Sequence, residues 1–192
     1  MFPPIQESAR AIYGTIRLAR MDRTGIEYFE ATPEGALRSF HVAALVAPAY
    51  VLMMLIQLIE IPYEVDLVRY VVVETIAYVI AWTAFPVLVW QIAPLLGRQE
   101  AYFRFLTAFN WAWIPQMAVQ LAAAALAAAD FVPAEVSSGI ALGVTFAILC
   151  YQWFIIRTGL DVTGGAALGL LVVNLTLDLT NFYLSGRLAL GG

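Results

Sequence analysis

Two carboxylates stand inside long apolar runs of this chain. Glu74 lies seven residues past Leu67, where one run begins, and Asp178 lies six residues before Leu184, where another ends. At 1.5 Å of rise per helical residue, these offsets place the acids about 10 Å and about 9 Å inside their segments. An ionised carboxylate in hydrocarbon costs at least a few kcal/mol, so each must face inward, be paired or be protonated. Asn174, Asp178 and Asn181 share one helical face. Glu74 and Asp178, with Asn174 and Asn181 as polar neighbours, therefore have the chemistry of a proton or cation site. The competing account has both acids reaching the membrane surface and pairing with Arg69 or Arg187.

Other chemistry is scarce. No G-x-S-x-G, H-E-x-x-H, Walker loop or dinucleotide fingerprint occurs. One cysteine (Cys150) excludes an intramolecular disulfide, and with one histidine (His41) it excludes a Cys/His zinc cage. His41 stands where an apolar run begins, with no nucleophile partner in view. The sequence thus predicts no enzyme, no cofactor and no catalytic or metal site. All ten cations are arginines and the net charge is −4, so no basic tract points to nucleic acid.

The elements that must hold the two acids follow from composition. Hydrophobic residues make up 62% of the 192 residues and charged ones 12%, against about 45–50% and about 25% in soluble domains. So small a body has too little interior to hide that much apolar surface from water. Lipid must be its solvent. Five apolar stretches, 40–59, 67–93, 101–129, 136–156 and 162–184, each offer about the 20 residues that cross the hydrocarbon as a helix. Asn174, Asp178 and Asn181 make the fifth the least regular. The third is long enough to tilt, or to begin as an interfacial turn through Tyr102, Phe103 and Arg104. Short loops predict that consecutive helices are antiparallel neighbours.

Arginine placement sets the expected orientation. Arg10, Arg17, Arg20, Arg23, Arg38, Arg98, Arg104 and Arg157 fall on one side of the spans. Arg69 and Arg187 fall on the other, with Glu60, Glu64, Asp66, Asp130 and Glu135. The positive-inside rule then predicts a cytoplasmic N-terminus and an external C-terminus. Met1-Phe2-Pro3-Pro4 opens no signal-peptide core. Instead Ile5, Ala9, Ile12 and Ile16 recur at helical spacing, giving an amphipathic helix that either lies on the membrane or packs on the bundle's loops. Thr32-Pro33-Glu34 supplies a helix start, with Thr as cap and Pro at the first position.

Candidate packing residues follow from what lipid lacks. Gly139 and Gly143, and Gly165 and Gly169, are small-xxx-small pairs that would let helix backbones approach closely. Gly165 and Gly169 lie roughly opposite Asn174, Asp178 and Asn181, which would give the fifth helix two buried faces and a central position. Gln116, Gln120, Ala123 and Ala127 share a face of the third, where amides bonding across helices act as structural glue rather than as a solute path. Pro48, Pro86 and Pro115 should kink their helices. Trp82, Trp90, Trp111, Trp113 and Trp153, with Tyr102 and Phe103, suit interfacial anchoring or packing.

In three places the sequence resembles the Yip (Ypt-interacting) family in its bacterial form, over roughly residues 40–184. One is a cytosolic leader before five helices. The second is Leu96-Gly97-Arg98-Gln99-Glu100 running into Phe103-Arg104-Phe105-Leu106, with Ile114-Pro115 beyond. The third is Trp153-Phe154-Ile155-Ile156-Arg157-Thr158-Gly159-Leu160. The resemblance implies a non-enzymatic role in binding proteins or shaping bilayer; the short leader departs from eukaryotic members that engage Rab-type GTPases. The expectation is an all-α bundle of five transmembrane helices (39–187) after a leader (1–38) with an amphipathic interfacial helix, closed by a short tail (188–192). It would reside in a bacterial inner membrane, with lipid, and with a membrane-protein partner or a second copy as associates. The expected role is interaction or membrane organisation. The alternative is a small transporter using Glu74 and Asp178.

Overall fold

The computed structural model describes residues 4–59, 65–129 and 132–190. Among them there is no strand. Helix α1 (Ile5–Ala19), a 3-10 turn (Arg23–Tyr28) and α2 (Pro33–Ser39) form the leader. Then come α3 (His41–Ile59), α4 (Leu67–Ile92), α5 (Tyr102–Ala128), α6 (Ala134–Gly159) and α7 (Gly164–Leu190). Five segments are long and apolar enough to cross a membrane, the first running from Pro33 to Ile59.

Local signals account for most boundaries. The Thr32 hydroxyl oxygen accepts from the Gly35 N–H at 3.1 Å, with Pro33 opening α2, as the sequence implies. Asp66 caps α4 by accepting from Val68 and Arg69. A 3-10 turn (Gln99–Ala101) leads into α5. Helix α7 runs unbroken through Asn174, Asp178 and Asn181, because their side chains find partners inside the bundle. Its end moves from Leu184 to Leu190, so Asp178 lies about 18 Å from that end rather than about 9 Å.

Packing departs from the expected chain-order neighbours. Helices α5 and α6, and α6 and α7, pack as consecutive pairs, but α3 lies along α5 and α4 along α7. Between α3 and α4 stand the rings of Tyr50 and Tyr78, 4.6 Å apart. The hydroxyls of both rings reach across to the neighbouring helix. The central helix is α5, not the fifth span: residues 105–112 are all buried. Gly165 and Gly169 on α7, like Gly139 and Gly143 on α6, are exposed, and a Cβ built on any of them meets nothing within 4 Å. The expected small-residue contacts are therefore absent among the described residues. Close approach occurs instead at Gly159, where a Cβ would stand 3.1 Å from the Phe105 backbone.

The two ends of the bundle differ. Near the leader, Phe85, Phe105, Leu18, Ile155 and Ile156 are fully enclosed, and Phe85, Phe105 and Phe109 form mutual ring contacts 5.2–6.2 Å apart. Such pairs contribute about 0.5–1.5 kcal/mol each beyond area burial. Toward the far end burial thins: none of residues 134–150 of α6 is buried, and Leu142 and Phe146 are about 70% exposed.

The leader is sewn onto the closed end. Gly14 and Gly25 meet back to back, so a Cβ on either would fall 2.8 or 2.7 Å from the other's carbonyl oxygen. Tyr151 donates to the Thr15 carbonyl (3.3 Å), Thr107 to the Glu30 carbonyl (2.9 Å) and Asn110 to the Ser39 hydroxyl (2.8 Å). Arg38 grips Glu7 at 2.8 Å. Helix α1 thus packs Ala11, Gly14, Thr15 and Leu18 on the bundle while Ile5, Ala9, Ile12 and Ile16 stay exposed. Arg10, Arg17, Arg20, Arg23, Arg38, Arg98, Arg104 and Arg157 all belong to this end by helix direction, and Arg69, Arg187, Asp66 and Glu135 to the other. Glu60, Glu64, Asp130, Met1–Pro3 and positions 191–192 lie outside the described residues.

Candidate functional site

The half away from the leader holds an open-mouthed cavity of about 670 Å³ lined by all five long helices. Its deep wall is at mid-bundle, at Trp113, Gln116 and Gln152, and it reaches the surface at exposed Gln57, Phe182 and Leu190, away from the leader. The aromatic core closes the other end. A chamber of this size falls within the range of small-molecule sites, about 300–1,000 Å³.

Both acids line this chamber, with Asn181, Gln116 and Gln120. Glu74 accepts from the Tyr50 hydroxyl at 2.7 Å, a bond from α4 to α3. Above it, the Tyr78 hydroxyl donates to the Ala43 carbonyl at 2.6 Å, one residue before the carbonyl that Pro48 leaves without its helical partner. Asn181 donates to the Ala77 carbonyl at 2.9 Å, tying α7 to α4.

Asp178 terminates a chain of amides that crosses three helices. Gln116 donates to its own helix at the Ala112 carbonyl (3.0 Å). Gln152 donates to the Gln116 side-chain oxygen (2.9 Å). Asn174 donates both to the Gln152 oxygen (3.3 Å) and to Asp178 (3.1 Å). Gln116, Gln152 and Asn174 are buried, where an unmet amide would cost roughly 1–3 kcal/mol. The interhelical amide glue read from Gln116 is present, and the same face borders the chamber. One face does both.

Neither acid is paired with arginine among the described residues. The ion pairs there are Arg10–Glu30, Arg17–Asp22, Arg38–Glu7 and Arg98–Asp161. The account that pairs Glu74 and Asp178 with Arg69 or Arg187 is thereby corrected. The Arg187 guanidinium lies instead over the ring of Tyr183, one turn back on the same helix, at 5.9 Å, and Asp178 sits too deep for the surface.

Sequence reasoning found Glu74, Asp178, Asn174, Asn181, Gln116 and Gln120, and missed Tyr50, Tyr70, Gln152 and the methionines Met53, Met54 and Met117. A signal existed for some. Tyr70, Glu74, Ala77 and Ala81 recur at helical spacing along one α4 face, and Gln152 is a lone amide in an apolar run. The tryptophans serve packing: Trp82 stacks on Trp113 at 5.3 Å, and the Trp153 indole donates to the Gly164 carbonyl at 3.0 Å. His41 faces the Arg38 carbonyl at 2.7 Å and the Trp111 ring at 5.3 Å. No three His, Cys, Asp or Glu side chains converge as a metal set among the described residues. No protein-family model, curated protein or solved structure matches the chain, so the Yip resemblance stands on its sequence motifs alone.

Proposed function

We propose that this chain is a non-enzymatic multi-pass protein of a bacterial inner membrane that binds and passes a proton or cation through the chamber of Glu74 and Asp178. One observation carries the reading: two carboxylates without an arginine partner among the described residues line one largely apolar cavity inside a bundle of apolar helices. Uncompensated acids at membrane depth are costly and mark ion paths or relays. With the leader in the cytoplasm, as its arginines favour, the chamber faces outward and the aromatic core is the inner seal. Carrying a solute across then requires that seal to part in a second conformation.

The test is flux in proteoliposomes loaded with a pH-sensitive dye, with sodium flux followed in parallel. The expected result is a measurable flux that falls at least tenfold in both Glu74→Gln and Asp178→Asn. Flux that is unaltered in both variants overturns the reading.

A second reading, an interaction or membrane-organising role, is favoured by the exposed stripe of Ile5, Ile12 and Ile16 on α1. That stripe suits a headgroup–acyl boundary. Affinity capture from native membranes in mild detergent separates the two: a stoichiometric partner retained by wild type and lost in Ile12→Ser/Ile16→Ser supports organisation.

A further inference from the structure

The chamber's lining says more than its two acids do. A proton or a bare metal ion needs a few oxygens at short range, not a space of about 670 Å³. Beside aliphatic side chains such as Ile148, Leu149 and Leu175, the remaining wall carries aromatic and thioether groups: Tyr70, Trp113 and Phe182 with Met53, Met54 and Met117. Aromatic faces attract cations, and methionines repack around irregular apolar bodies. Among the described residues, no arginine, lysine or histidine lines the chamber. An anion would meet two carboxylates with no counter-charge. A zwitterion, whether an amino acid or a phospholipid headgroup, would satisfy its ammonium and leave its anionic group opposed.

We infer that the chamber binds an organic cation, an amine or quaternary onium with an apolar body, whose charge sits between Glu74 and Asp178 and whose body rests on Trp113 and the methionines. The inference rests on the cation reading above and narrows its ligand. The hydroxyl of Tyr50 fixes the Glu74 carboxylate, and Asn174 fixes that of Asp178, so both acceptors are held in place before the ligand arrives. Preorganisation of this kind lowers the ordering cost of binding.

Radiolabelled tetraphenylphosphonium binding to the full chain in phosphatidylcholine nanodiscs tests this. The expected result is saturable binding at one site per chain. It weakens at least tenfold in Glu74→Gln and in Asp178→Asn, and several-fold in Trp113→Leu. Wild-type protein alone supplies the second arm, which does not depend on variants folding: phenethylamine displaces the probe, whereas neutral triphenylphosphine oxide and zwitterionic phenylalanine do not. Displacement by the neutral or zwitterionic compounds, or probe binding indifferent to both acids, overturns the ligand class. If acid-dependent proton or sodium flux persists in that case, the cation reading survives without the organic ligand. If flux is also indifferent to the acids, both fall.

Discussion

Single side chains decide whether the amide chain is a strut or an ornament. Replacing Gln152 by Leu removes the donor to Gln116 and the acceptor for Asn174. Bonds between membrane helices are worth about 0.6–2 kcal/mol each, so Gln152→Leu should destabilise the bundle by about 1–3 kcal/mol, read as a lower thermal midpoint in detergent micelles. Outside the spans, Asp22 sets a pH limit on the leader. The Thr24 hydroxyl and then the Arg17 guanidinium hold its carboxyl below the ordinary carboxylate range. Because the folded value is the depressed one, this contribution is full above the usual value of about 3.9 and is lost as pH falls through the lowered value. Pepsin cleavage of the leader should therefore accelerate in wild type as pH falls below the ordinary carboxylate range, and this acid dependence should be weaker in Asp22→Asn. The residues that do this were unevenly legible. Glu74 and Asp178 stand out because charge in an apolar run is anomalous. Tyr50 and Tyr70 do not, because a tyrosine in a membrane helix is ordinary until its neighbours across the bundle are known.

Between elements, contact depends on which faces meet, and one sequence does not state that. The spans and the Thr32 cap were readable because apolar length and capping chemistry are local. The glycine pairs were misread because small spacing permits close approach without requiring it. Gly14 and Gly25 belong to no small-xxx-small pair in a membrane span, yet their backbones meet closely. The expected contrast is direct. Gly25→Ala should cost about 1–3 kcal/mol, since overpacked sites must shift backbone, and should loosen the leader in amide hydrogen exchange. Gly139→Ala and Gly143→Ala should not lower the thermal midpoint of the monomer, since nothing stands in the way of a Cβ and alanine favours a helix interior by about 0.5–1 kcal/mol over glycine.

For the whole molecule, the difference between its ends makes a topological prediction. With Cys150 replaced by serine, a cysteine at Gln57 should react with a membrane-impermeant maleimide in intact cells. A cysteine at Arg20 should react only in inverted vesicles. The reverse pattern would turn the chamber toward the cytoplasm and refute the assignment of sides. The order of pairing also bears on how the bundle is made. Since α3 rests on α5 and α4 on α7, the first two spans leave the ribosome joined by little more than the hydroxyls and rings of Tyr50 and Tyr78. They must wait in the bilayer or its insertion machinery as a loosely joined pair until later spans arrive, and a nascent chain stopped after Leu160 would hold α4 without its main partner. Such a truncated product should be cleared by membrane proteases far faster than the full chain, because assembly is completed only by its last helix.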